Sequence, residues 1–243
     1  NAFLTAGLLG FGLLFLDRRP LLAGVLIGVL AYKPQFGVIL PVVLLLGGHW
    51  RATASAGVTV LAMSAAVTLW LGPGVWTAFL EGAEFTKTVI LEQGVTGGHK
   101  IQSTFSALRS FGAPVDVAYA GQAIVTIAVI ATLALIVWRK ADARLTAALA
   151  AAGALLATPY CLDSDMTILG VAIAFAAAHG VNKGFAPWEK TLLALVWVTP
   201  LFARVVMQWT HLPLGVLSTG ALFVFLSLRC LRSEAKGPAP LPA

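Results

Sequence analysis

Three short polar stretches interrupt a mostly apolar chain, and each carries residue types able to do chemistry. The first is Lys33-Pro34-Gln35. Pro34 breaks a helix, frees backbone groups and disfavours helical geometry at Lys33. A lysine between two short apolar segments can hold an anion at a cavity. Taken alone, the stretch reads more simply as a hairpin tip whose lysine snorkels to lipid headgroups. The second is His99-Lys100-Ile101-Gln102-Ser103, followed by Arg109. Two cations, an imidazole and hydroxyls ahead of a short helix suit a phosphate; the plain alternative is a solvated loop. The third is Thr158-Pro159-Tyr160-Cys161-Leu162-Asp163-Ser164-Asp165. Acids at membrane depth are costly and mostly functional. Two carboxylates at that spacing can bind a divalent metal, or one can act as a base. Helix capping near Met166 is an equal alternative for Asp165 and a weaker one for Asp163.

The elements that must position these groups follow from composition. The chain has 243 residues, 59% hydrophobic and 11% charged, with mean hydropathy +0.90. Soluble domains carry about 25% charged residues, so these residues cannot cover a soluble globule. The apolar content excludes a disordered chain, and two cysteines exclude a small disulfide scaffold. The apolar stretches are continuous, without the alternation of a membrane barrel. The expected fold is all-α, a polytopic transmembrane bundle. Its apolar segments are Ala2–Leu16, Leu21–Tyr32, Gln35–Leu46, Ala52–Leu71, Val117–Trp138, Leu145–Ala157, Met166–His179, Lys190–Met207 and Leu214–Leu231. A full crossing needs about 20 residues. Short segments are tolerated where neighbours bury them or where they end in a water-filled cavity.

Nine crossings with Asn1 outside fit the positive-inside rule. The inner ends then hold Arg18, Arg19, Arg51, Arg139, Lys140, Arg144, Lys183, Lys190, Arg229, Arg232 and Lys236. The acids Glu81, Glu84, Glu92, Asp116, Asp163 and Asp165 fall outside. The net charge of +6 is thus mainly topology, and dispersed basic residues give no nucleic-acid signal. Cys161 and Cys230 fall at opposite faces and do not pair. The predicted transmembrane domain covers 1–232, with an outward loop at 72–114. That loop is expected to hold an amphipathic interfacial helix and a second short helix over Thr104–Phe111. A disordered cytoplasmic tail is expected at 233–243. Gly24 and Gly28 read as a helix-packing pair. Trp50, Trp138, Trp188 and Trp209 read as an aromatic belt. His49, His179 and His211 lie scattered and predict no metal site. Arg204, a cation inside an apolar span, faces a cavity or snorkels.

Each polar stretch is weak alone. Topology drawn from other residues places all three on one face, beside an amphipathic segment. That describes an outward site at the lipid boundary, suited to a lipid phosphate and a polar acceptor. A transporter or lipid flippase would use a similar cavity. The chain has no inverted repeat, and its charged clusters sit to one side of the midplane, which favours an enzyme. A noncatalytic membrane subunit is the third reading.

At these stretches the sequence resembles the membrane glycosyltransferases of family 87, polyprenyl-phosphate-mannose-dependent alpha-mannosyltransferases with the GT-C fold. The matching residues are Asn1-Ala2-Phe3, Ala31-Tyr32-Lys33-Pro34-Gln35, Ile101-Gln102-Ser103-Thr104-Phe105 through Leu108-Arg109, and Ala157-Thr158-Pro159-Tyr160 with Asp163 and Asp165. Ser164 departs from the pattern, which commonly has an aromatic there. The resemblance implies a polyprenyl-phosphate hexose donor, with mannose as the sugar, and a lipid or glycan acceptor outside a bacterial cytoplasmic membrane. It implies an inverting transfer that requires no metal or other cofactor, although the two aspartates keep a metal open. Lys33, Lys100 and Arg109 would bind the leaving phosphate, with His99 as a further donor. Gln35, Ser103 and Tyr160 would hold sugar or phosphate. Asp163 and Asp165 would hold sugar hydroxyls or position the base. The family's catalytic acid follows an earlier helix, so the chain is expected to be a fragment whose base lies upstream.

Overall fold

The computed structural model describes residues 1–235. Among them the chain is helical, with one isolated antiparallel bridge between Ile101 and Leu162. The helices are α1 (Ala2–Leu14), α2 (Pro20–Val29), α3 (Trp50–Leu71), α4 (Gly74–Phe85), α5 (Thr104–Ser110), α6 (Val115–Trp138), α7 (Ala143–Leu156), α8 (Ile168–Lys183), α9 (Glu189–Thr210) and α10 (Leu214–Ala235). The tail expected beyond Ala235 lies outside the described residues.

Five stretches are long and apolar enough to cross a membrane: Trp50–Leu71, Val115–Trp138, Asp163–Lys183, Glu189–Thr210 and Leu214–Arg232. About nine spans were expected; five stretches meet the length and apolarity of a full crossing. Three more, Ala2–Leu14, Pro20–Tyr32 and Ala143–Leu156, are apolar but short. At 1.5 Å per residue the 14 residues of α7 cover about 21 Å. That helix is short because it is central: all its residues from Ala147 to Leu156 are buried.

The segment Gln35–Leu46 departs furthest from expectation. It forms no α-helical span. Pro34 and Pro41 remove donors, and Lys33, ahead of Pro34, is pushed to φ −129°, ψ 74°. The chain folds instead as 3-10 turns at Leu30–Tyr32 and Pro34–Phe36 and a π-turn at Val42–Leu46. Phe36, Ile39, Leu40 and Val43 are buried, and the segment packs on α3, α6 and α7. Irregular backbone is tolerated at membrane depth when protein buries it.

Contacts fix the direction of each element. Tyr32 reaches the start of α1: its hydroxyl lies 2.5 Å from Thr5 Oγ1 and 3.3 Å from the Asn1 carbonyl. Thr167 Oγ1 donates to Ala2 O at 3.3 Å. Asn1, Tyr32 and Thr167 therefore share one end of the bundle. His49 lies 3.9 Å from Asp17 at the other end. Helices α2 and α3 run parallel. Ser55 Oγ donates to Leu21 O at 2.8 Å, a Cβ on Gly24 would strike Ala52 O, and one on Gly28 would strike Thr59 and Ala56 O. Both glycines are helix-packing residues. The broken segment carries the chain back between the two ends, which is what lets α2 and α3 lie parallel.

After α3, Gly72 at φ 81° turns the chain into α4. Helix α4 buries no residue and continues as a π-turn, Thr86–Glu92. Pro114 and Pro213 stand just ahead of α6 and α10, where a missing N–H is harmless. Trp50, Trp138, Trp188 and Trp209 are all strongly exposed, as an aromatic belt requires.

Candidate functional site

The end of the bundle that holds Tyr32 gathers all three polar stretches. Lys33 projects from the break after α2, and its Nζ lies 2.5 Å from Asp165 Oδ1. Asp165 sits in the 3-10 turn Asp163–Thr167 that opens α8. Its second oxygen accepts from Leu162 N at 3.2 Å. The carboxylate is 1% exposed and the lysine 14%. Lys33 also lies over the Phe36 ring, 5.6 Å from its centroid. The hairpin-tip reading of Lys33 fails: its charge is drawn into the protein, 132 positions from its partner.

Asp163 makes the second pair. Its Oδ2 lies 3.4 Å from Arg204 Nη1 and its Oδ1 accepts from Ser164 N at 2.8 Å. This pair is open, with the arginine 48% exposed. Arg204, in the last third of α9, was visible in the sequence only as a cation inside an apolar span. The structure shows it facing the acid. All four oxygens of Asp163 and Asp165 thus have protein partners. Among the described residues, no three His, Cys, Asp or Glu side chains converge as a metal site.

The His99 stretch joins the acids through backbone. Gln102 N donates to Cys161 O at 2.6 Å, next to the Ile101–Leu162 bridge. Gln102 Nε2 holds the His99 carbonyl at 2.9 Å. Burial, then the nearby Arg204 and Lys100, hold the His99 imidazole below its ordinary value of 6.5, against a smaller pull from Asp163. At neutral pH the ring is uncharged, with one donor and one acceptor nitrogen. Lys100 makes no ion pair among the described residues, so it is the least neutralised lysine at this end. Tyr160 and Gln35 are half-buried. Neither side chain makes a hydrogen bond to another described residue, so both can take an outside partner.

Two expected binding residues have structural jobs. Ser103 is the N-cap of α5, and its hydroxyl accepts from Ser106 N at 3.1 Å. Arg109 donates from Nη1 to Ala113 O at 2.8 Å and from Nη2 to Glu92 O at 3.2 Å. It pins the chain on either side of α5. Gln122 was not foreseen. Buried in α6, it accepts from Phe105 N and donates to Leu156 O, tying α5, α6 and α7 together. A polar residue inside an apolar span was its only sequence signal.

Two cavities adjoin the cluster. An apolar groove of about 1040 Å³ runs from Asp163 and Thr167 down between α1, α8 and α9. Gly7, Gly10 and Gly170 keep its wall shallow. The second cavity, about 390 Å³, lies between the Leu91–Gly94 stretch, α5 and the end of α9. His211 lines it together with His99. Their separation of more than a hundred positions hides this meeting in the sequence.

A family profile described as glycosyltransferase family 87 matches residues 1–159. It covers Lys33, Gln35, His99, Lys100, Ser103 and Arg109 and ends just short of Tyr160, Asp163 and Asp165. No curated protein matches the chain, and no solved structure does.

Proposed function

Because this chain belongs to glycosyltransferase family 87, we propose that it takes a hexose, mannose by the resemblance above, from a polyprenyl-phosphate donor. The family and the apolar helices support a membrane glycosyltransferase; donor, sugar and outward face are the finer parts of the reading. One observation carries them. A paired cluster, Lys33–Asp165 and Asp163–Arg204, stands at the head of a long apolar groove, with Lys100 left unpaired. A lipid phosphate has that same division, a charged head on an apolar tail.

In the proposed reaction an acceptor hydroxyl oxygen forms a bond to the anomeric carbon. The bond from that carbon to the phosphate oxygen breaks, with inversion. The electron pair leaves on the lipid phosphate, where Arg204 and Lys100 stabilise the growing charge. Asp163 and Asp165 position cations, so the proton goes to a carboxylate other than these two. The acceptor is a lipid-linked or free glycan at the same face of a bacterial cytoplasmic membrane.

The test is transfer of labelled hexose from polyprenyl-phosphate mannose by the natural full-length protein in membranes, beside Arg204→Ala and Lys100→Ala. Loss of transfer in both, with folding intact, supports the reading. A folded wild type that transfers no hexose sinks it.

A further inference from the structure

The cavity of about 390 Å³ beside the charged cluster has its own chemistry. Its size is that of a small-ligand pocket. Four stretches of chain supply its polar groups: Glu92 and Gln93, His99, Gln208 and His211, and the α5 residues Ser106, Arg109 and Ser110, of which the two serines already donate to the Gly98 and Ala107 carbonyls. Nearly all of these can both give and take a hydrogen bond. Each carboxamide has an oxygen acceptor and two N–H donors, and the uncharged His99 ring has one of each. Glu92 uses one oxygen on the Tyr119 hydroxyl at 3.2 Å. Its other oxygen has no partner among the described residues.

The one cation in the lining is Arg109, and two of its nitrogens are held by the carbonyls of Ala113 and Glu92. Arg109 and Glu92 carry opposite charges, so the lining is close to neutral. A phosphate would find no unengaged cation there. A hydroxyl both donates and accepts, so a polyol suits these groups. Leu91, Phe105 and Met207 add an apolar patch to the wall, which matches the flat C–H face of a pyranose. Lys100 and Arg204 do not line this cavity, yet both stand close enough to His99 to depress its basicity.

We propose that this cavity is the subsite for the neutral sugar ring of the acceptor, with Glu92, Gln93, Gln208 and His211 as its hydroxyl-binding residues. The assignment rests on the glycosyltransferase reading. It divides the site in two: the donor phosphate at Arg204 and Lys100, the acceptor ring beyond His99.

The experiment uses ligand-observed saturation-transfer NMR on the natural full-length protein in detergent. The probes are methyl α-mannopyranoside, methyl α-glucopyranoside and inorganic phosphate. Gln208→Leu and His211→Leu are the variants, since both side chains are exposed and neither bears on the core. Binding of a hexoside, weakened about fivefold by either change as for one lost hydrogen bond, supports the proposal. Lys140→Gln, at the far end, should leave that binding unchanged. No hexoside binding to the wild type, binding that survives both changes, or displacement of hexoside by phosphate overturns it. Transfer from polyprenyl-phosphate mannose is assayed on the same preparation. Transfer with no hexoside binding in the cavity removes the subsite and leaves the enzyme. Hexoside binding without any transfer leaves a sugar pocket and removes the enzyme.

Discussion

The two ends of the bundle use the same ion pairs to different effect. At the far end Glu189, fully buried, faces Arg229 at 3.3 Å. The glutamate also accepts from Ala186 N, and the arginine donates to the Gly184 carbonyl. Asp142 caps α7 through Arg144 N and Leu145 N and lies 3.1 Å from His179. Each of these paired charges closes on a helix end. A cavity of about 790 Å³ lies beside them, rimmed by Lys140, Lys183 and Arg232. The C-termini of α6, α8 and α10 converge on that end, and cations complement such termini. At the site end one pair, Lys33–Asp165, is sealed, while Asp163–Arg204 stays half-open beside Lys100, a polar cavity and an apolar groove. A buried pair by itself marks scaffolding. At the site end the available charge stands beside both a polar cavity and an apolar groove, whereas the far-end cations Lys140, Lys183 and Arg232 stand at helix C-termini.

Substitutions in the two sealed pairs should have the largest effects. Asp165→Ala leaves Lys33 without its counter-charge, and removing one partner of a buried pair costs about 3–5 kcal/mol. Thermal unfolding in detergent should register a loss of that size, and transfer should vanish. The double change Lys33→Met with Asp165→Leu should regain most of the stability without regaining transfer. Normal transfer by the double variant would reduce this pair to scaffolding like that of the far end. Glu189→Ala should cost a similar amount, about 3 kcal/mol, yet leave transfer per folded molecule unchanged. A specific loss of activity there would erase the contrast.

Arg204→Ala comes next. Its pair is exposed, so stability should move by less than about 1 kcal/mol. Transfer should fall about 100-fold, as when one donor to a developing anion is removed. Release of lipid phosphate is the readout. A smaller effect belongs to Asp142→Ala, about 1 kcal/mol for a lost cap, with no change in transfer.

The smallest effect is a separation in pH. Burial raises the Asp142 carboxyl, but hydrogen bonds from Leu145 N, His179 and Arg144 N outweigh it and hold the group below 3.8. Its contribution is complete above that value and is lost as pH falls through the lower folded value. His99 has the same sign with a higher window. Its folded value lies below 6.5, so the unfolded chain takes up the proton first and stability falls as pH drops below 6.5. Unfolding midpoints measured from neutral to acid should therefore show a first decline from the site end and a second from the far end. His99→Gln should remove only the first. Persistence of the first decline in that variant would assign it elsewhere.

Much of the fold was legible, and less of the site. Pro34 announced a helix break, and Gly24 with Gly28 announced close packing, because both effects are local to the backbone. The short helix after Ser103 was legible for the same reason. The Gln35–Leu46 segment was not, since its apolar residues fit a span and only packing against α3, α6 and α7 permits turns instead. Ser103 and Arg109 have residue types suited to a ligand, yet they bind backbone. Nothing in a residue type tells which acceptor it will meet.

Composition and charge placement were enough to settle the class of the molecule and to bring its polar stretches to one end. Apolar content and charge placement accumulate residue by residue, and lipid sorts them without reference to any particular contact. Which charges neutralise each other and which stay available depends on how the helices pack. Lys33 meets Asp165 across 132 positions, Asp163 meets Arg204 across 41, and His99 shares a cavity with His211. Such meetings depend on where helices turn and how closely glycines let them approach. A few ångströms there separate a sealed pair from a binding group.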